Sequence, residues 1–98
     1  MKKQSKKKLM DEWKKAVELR MGNKCIICGK KPVNYHHLVS SFLLDFRYDD
    51  GVGVPLCPLH HRFSKTLSPH NGPLGFFYWF FNKFPEKTKY IINKLNKD

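Results

Sequence analysis

Apolar residues first recur at helical spacing between Leu9 and Met21, where Leu9, Trp13, Ala16, Val17 and Met21 share a stripe. Lys14, Lys15, Glu18 and Arg20 fall off that stripe, and Gly22-Asn23 predicts the stop of the helix. From Pro32 to Val39 the residues favour extended backbone instead, with Val33, Tyr35, Leu38 and Val39 predicting a strand and Pro32 suited to its first position. Ser40 to Asp50 mixes Phe42, Leu43, Leu44 and Phe46 with Asp45, Arg47 and Asp49, which predicts a loop containing a short helical piece. Asp50-Gly51 marks a turn, and Val52 to Leu56 a short edge strand weakened by Gly53 and Pro55. Pro58 pre-sets a helix running to about Lys65, with Leu59 and Phe63 four apart on its apolar side.

The last third is punctuated by proline. Ser68 to Pro73 has the composition of a loop, and Leu74 to Phe84, with six consecutive aromatics from Phe76 to Phe81, predicts a buried helix between Pro73 and Pro85. Pro85 to Leu95 predicts a final helix, with Tyr90, Ile91 and Leu95 inward and Lys87, Lys89 and Lys94 outward. The aromatics Phe76, Phe77, Trp79, Phe80, Phe81 and Phe84 read as core in preference to a base-stacking platform, and the run exceeds one helical face, which leaves room for a dimer contact.

Charge adds a partner to this outline. Lys+Arg 19 against Asp+Glu 8 gives a net charge of +11, which favours a polyanion, most commonly nucleic acid. Met1 to Lys8 reads as a basic flexible tail, and residues 9–98 as a single domain whose core lies at about 25–70. No segment resembles a leader or a membrane span, so a soluble, cytoplasmic protein is expected. At 98 residues the chain is too short for a generous core, and a metal staple is a natural source of stability.

The cysteines supply that staple. Cys25-Ile26-Ile27-Cys28 is answered by Cys57-Pro58-Leu59-His60, two short chelating pairs that together use all three cysteines and one histidine. Thiolates select zinc, and four protein ligands make a closed, structural site whose binding free energy, on the order of 10 kcal/mol, is folding energy. His61 in place of His60 is the close variant. Helical neighbours point about 100° apart, so when His60 turns to the cysteines His61 faces elsewhere and is available to a second metal. Strand neighbours point to opposite faces, so His36 and His37 reach one site only where the strand ends or bulges.

The order C-x2-C, His36-His37-Leu38, Asp49, Pro55-Leu56-Cys57, C-x2-His60-His61 and Ser68-x-His70, followed by an aromatic helix, resembles the HNH endonucleases, particularly the small phage-associated type, over about Cys25 to Phe81. The resemblance implies an α+β fold: a zinc-stapled ββα-metal domain, here with an N-terminal helix and C-terminal aromatic helices. It implies His37 as general base, His36 and His61 as ligands of one divalent catalytic ion, and His70 near the metal or the scissile phosphate. The implied reaction is hydrolysis of DNA, double-stranded DNA foremost, to 5′-phosphate and 3′-hydroxyl ends in a bacterial or phage-infected cell. Magnesium, manganese, nickel, cobalt or zinc would serve, and nitrogen ligands suit magnesium least. Arg47, Arg62 and Lys65 are candidate phosphate contacts. The chain departs from the family at Val52, where an asparagine that braces the base-bearing loop is usual. A zinc module that binds nucleic acid without cutting it is the competing expectation, and a zinc-ribbon interaction domain with an exposed aromatic helix is a third.

Overall fold

A computed structural model describes residues 5–97, an α+β arrangement in which a two-stranded antiparallel sheet is enclosed by helices. Helix α1 (Lys6–Met21) begins on a Ser5 cap, whose hydroxyl accepts from the Lys8 amide at 3.1 Å. Lys6 to Lys8 are therefore helical and not tail, because the serine cap can start a helix ahead of the first apolar residue; Met1 to Gln4 of the expected tail lie outside the described residues. Gly22, at φ 89°, closes α1 by donating its amide to the Glu18 carbonyl at 2.7 Å.

Strands β1 (Asn34–His37) and β2 (Gly53–Leu56) pair His36 with Val54 and His37 with Gly53. Both are shorter than the sequence pattern suggests, since the chain bends at Lys31–Pro32 and at Leu38–Val39 on either side of β1, and a 3-10 turn takes Asp50–Val52. Paired residues share a face. Val54 and Leu56 on one face join Cys25, Cys57, Phe76 and Phe80 in the main core, which α3 (Pro73–Lys83) covers. Gly53 on the other face meets Trp13 and Val17 of α1, and a Cβ there would lie 2.5 Å from Val17 and 2.6 Å from Trp13. A smaller core of Phe46, Val52 and Ile91 joins the short helix α2 (Leu44–Arg47) to α4 (Pro85–Leu95).

Two inward assignments are corrected. Leu59 and Phe63 are exposed, because the inward positions of the helical turn Leu59–Phe63 are taken by His60 and His61. Tyr90 and Leu95 are also exposed, Ile91 being the buried residue of α4, and the Tyr90 hydroxyl reaches out to donate to Asp49 at 2.6 Å. The aromatic helix does place Phe76 and Phe80 in the core while Tyr78 and Phe81 face out. Among the described residues no helix is long and apolar enough to cross a membrane.

Gly53→Ala should lower stability by about 1–3 kcal/mol, the usual cost of overpacking, as read by urea unfolding; an unchanged midpoint would contradict the packing of α1 on the sheet.

Candidate metal centres

Local hydrogen bonding shapes the first knuckle. The Gly29 amide donates to the Cys25 carbonyl at 2.8 Å, with Gly29 at φ 75° in the left-handed region that glycine adopts without strain. The Ile26 amide reaches the Pro55 carbonyl at 3.2 Å, which ties the knuckle to β2 and brings Cys25 and Cys28 to Cys57. The turn after Cys57 is wide: the Ser64 amide donates to the Leu59 carbonyl five residues back at 2.7 Å. Its two histidines diverge. His60 turns its Nδ1 to Cys57 Sγ at 3.4 Å and Cys25 Sγ at 3.8 Å, and Cys28 Sγ lies 3.6 Å from Cys57 Sγ.

These spacings suit zinc. Bonds of about 2.3 Å to sulfur and 2.0–2.1 Å to nitrogen in a tetrahedron separate the donors by about 3.6–3.8 Å. The four donor atoms of Cys25, Cys28, Cys57 and His60 all lie within 4.8 Å of one another, so this cluster could bind a metal such as zinc. Burial raises the Cys25 thiol, but backbone amides of Cys57, Cys28 and Ile27 outweigh it and hold the pKa below its ordinary value; Cys57 is raised, by burial first.

A second cluster stands on the other side of the same turn. His61 Nε2 is 3.2 Å from His36 Nδ1 and 3.1 Å from His70 Nε2, the three rings meeting edge-on. His70 is delivered by a loop built on buried Ser68, whose hydroxyl donates to the Ser64 carbonyl at 2.7 Å and accepts from the amides of Asn71 at 3.0 Å and Gly72 at 3.2 Å. At Gly75 a Cβ would overlap the Thr66 carbonyl oxygen, so the loop packs directly on α3.

Three imidazoles cannot satisfy one another at this point. A neutral ring has one N–H, so His61 Nε2 can donate to only one of its two neighbours, and its Nδ1 is buried with no partner among the described residues. Three nitrogens about 2.1 Å from one ion are about 3.0–3.4 Å apart; the two separations from His61 Nε2 fall in that range, and all three donor atoms lie within 4.8 Å of one another. Burial, then the neighbouring His61 and His70, pushes His36 down to about 3, and burial with His70 and Arg62 pushes His61 down to about 4. Both rings are therefore neutral near pH 7, as ligands must be. Three donors leave coordination positions open, unlike the closed cluster next door.

His37 stands apart from this trio, on the opposite face of β1. Its Nε2 lies 2.8 Å from the Arg47 carbonyl, and its ring stacks on Trp13 with centroids 3.8 Å apart and planes 2° from parallel. Trp13 in turn donates its indole N–H to the Asp49 carbonyl at 2.8 Å. The Asp49 carboxylate accepts from Tyr90, from Lys94 at 2.6 Å and from the Gly51 amide at 2.8 Å. Sequence reasoning placed Trp13 only in a core stripe, and nothing in a helical pattern distinguishes that from a stack on a histidine. Of the other candidates, Arg47 uses its Nε to hold the Ser41 carbonyl at 2.8 Å, while Arg62 and Lys65 are exposed.

No family model matches the chain, and no curated protein or solved structure is similar enough to mark a relative.

Cys28→Ser should weaken zinc binding at least tenfold in a competition titration and lower the melting temperature, whereas unaltered affinity would exclude a Cys3His site. The metal-free protein carries a pH signature as well. The folded state keeps His36 and His61 neutral where the unfolded chain protonates them below about 6.5, so unfolding takes up protons in acid. The stability due to these rings is present above pH 6.5 and falls as the pH drops towards 4. Replacing His36 with Gln should flatten the change in urea midpoint between pH 7 and 5, and an unchanged slope would contradict the burial of that ring.

Proposed function

We propose that the chain is a small metal-dependent endonuclease of the HNH, ββα-metal kind, acting on DNA. The observation that carries this reading is the meeting of His36, His61 and His70 beside a closed Cys3His cluster, on an element order of strand, strand and helical turn. A divalent ion bound by the three histidines would supply charge neutralisation for the phosphate oxygens and for the departing 3′ oxygen.

The remaining chemistry is assigned to His37, which leaves the opposite face of β1 at its last residue, so the scissile phosphate would have to lie across the end of the strand between the ion and this ring. A carbonyl oxygen only accepts, so the Arg47 carbonyl requires the proton of His37 on Nε2 and leaves a lone pair on Nδ1. That nitrogen takes the proton of the attacking water as the water oxygen bonds to phosphorus and the bond to the 3′ oxygen breaks. The stack on Trp13 and the Arg47 contact hold the ring plane in two directions, so little rotation has to be lost on reaction. Arg62 and Lys65, exposed on the turn and loop that carry His61 and His70, would meet the polyanion.

The second reading, a zinc module that binds nucleic acid without cutting it, draws on Val52. The side chain at the position of the usual asparagine is fully buried against Phe46 and Ile91 and has no polar group to brace a base. Its backbone takes over part of that role, the Val52 carbonyl accepting from the Leu38 amide at 2.8 Å.

Supercoiled plasmid incubated with zinc-loaded protein and added magnesium, manganese, cobalt, nickel or zinc should be nicked or linearised with at least one ion. His37→Ala should slow this about 100-fold or more. Retarded bands with no cutting under any ion would favour the second reading, and cutting indifferent to His37→Ala would remove His37 from the reaction.

A further inference from the structure

The loop between the two strands carries three consecutive apolar residues that the fold leaves in water: Phe42 is 88% exposed, Leu43 48% and Leu44 74%. An exposed apolar cluster of this kind on a small, highly charged domain marks a contact surface. The loop is held, not slack. The Phe42 amide donates to the Ser40 hydroxyl at 3.2 Å, the Leu43 amide to the Ser40 carbonyl at 3.1 Å, and Arg47 Nε to the Ser41 carbonyl at 2.8 Å. Phe42 is thus presented on a pre-formed turn, and little ordering is lost when it meets a partner.

What surrounds it is basic. Phe42 and Tyr48 line a cleft with Lys6, Lys7 and Met10 from the first turns of α1 and with Arg47, and among the described residues no acidic one lines it. Arg47 is also the residue whose carbonyl holds His37, so the cleft shares one residue with the surroundings of the proposed base. Cations beside an outward aromatic ring match a single nucleic-acid strand, with phosphates on the lysines and a base on the ring. In an intact duplex the base faces are already stacked, so Phe42 has a partner only where a nucleotide is unpaired or unstacked.

We infer that this cleft is the nucleic-acid grip of the protein, in which Lys6, Lys7 and Arg47 take phosphates and Phe42 stacks on an unpaired base, giving a preference for single-stranded or locally opened substrate. This deepens the nuclease reading and rests on it for the class of partner. Its test reads binding alone, so the two can fail separately.

Zinc-loaded protein, with no second divalent ion added, is titrated against a fluorescein-labelled single strand and the matching blunt duplex. Phe42→Ala should weaken single-strand binding about 5- to 150-fold, the range for loss of one stacking platform, and duplex binding much less. Lys6→Ala with Lys7→Ala should reduce the slope of log affinity against log salt by about 1.4 while leaving the single-strand preference in place. Phe42→Trp should retain affinity, and its added indole emission should be quenched by the strand; this second variant keeps the proposal exposed should Phe42→Ala fold poorly. Single-strand affinity within twofold of the parent for Phe42→Ala, or no quenching in Phe42→Trp, overturns the grip. So does tighter, Phe42-dependent binding to phosphatidylglycerol vesicles than to the strand, which would assign the loop to a lipid surface. A protein that grips strands in this way and never cuts plasmid would sink the nuclease reading alone.

Discussion

Side chains on a two-stranded sheet have only two directions to take, and the molecule is arranged around that constraint. With four residues in each strand, one face receives α1 through Trp13, Val17 and the gap left by Gly53, and the other receives Val54, Leu56 and the aromatic helix. His36 and His37 are chain neighbours and are therefore sent apart. The first joins His61 and His70 under the core face, and the second lies flat on the indole of Trp13. No bulge is needed to divide them, since regular pairing of His36 with Val54 and His37 with Gly53 does so.

A second separation repeats this on the turn after Cys57, where His60 closes the thiolate cluster and His61 opens the imidazole cluster. The two clusters differ in energetic sign. A closed thiolate site contributes on the order of 10 kcal/mol on metal binding, comparable with the whole 5–15 kcal/mol stability typical of a domain. The imidazole cluster costs stability before any ion arrives, because it buries His36 and His61, which must stay neutral, and leaves His61 Nδ1 without a partner among the described residues, at about 1–3 kcal/mol. The staple and the costly site share one turn, so stabilising the first also orders the second. Asp49 adds a polar tie at the far end, clamped by Tyr90 and Lys94 of α4 while its carbonyl holds Trp13 in place behind His37.

Much of this was legible in the chain because the signals were local. The paired spacings Cys25–Cys28 and Cys57–His60 describe turns, and proline at 73 and 85 with glycine at 22 marked the ends of helices that lie where expected. What escaped depended on long-range contact. Trp13 and His37 are 24 residues apart and no periodicity links them. Leu59 and Phe63 have the spacing of an inward stripe, yet two donor clusters claimed the inward side of their turn. Phe42 read as one more hydrophobe in a mixed segment, because exposure is decided by what the rest of the fold leaves uncovered. His70 was expected near the metal only through the family resemblance, and what carries it to His61 is a loop built on the Ser68 hydrogen bonds, which no local pattern marked.

We propose that two adjacent donor clusters hold two ions, one sealed and one open. Anomalous scattering from crystals grown with zinc and manganese, with data at each absorption edge, tests it most directly. Two peaks are predicted: zinc among Cys25, Cys28, Cys57 and His60, and a second ion equidistant from His36 Nδ1, His61 Nε2 and His70 Nε2. Density at the cysteines alone, with the three histidines drawn apart, would contradict it.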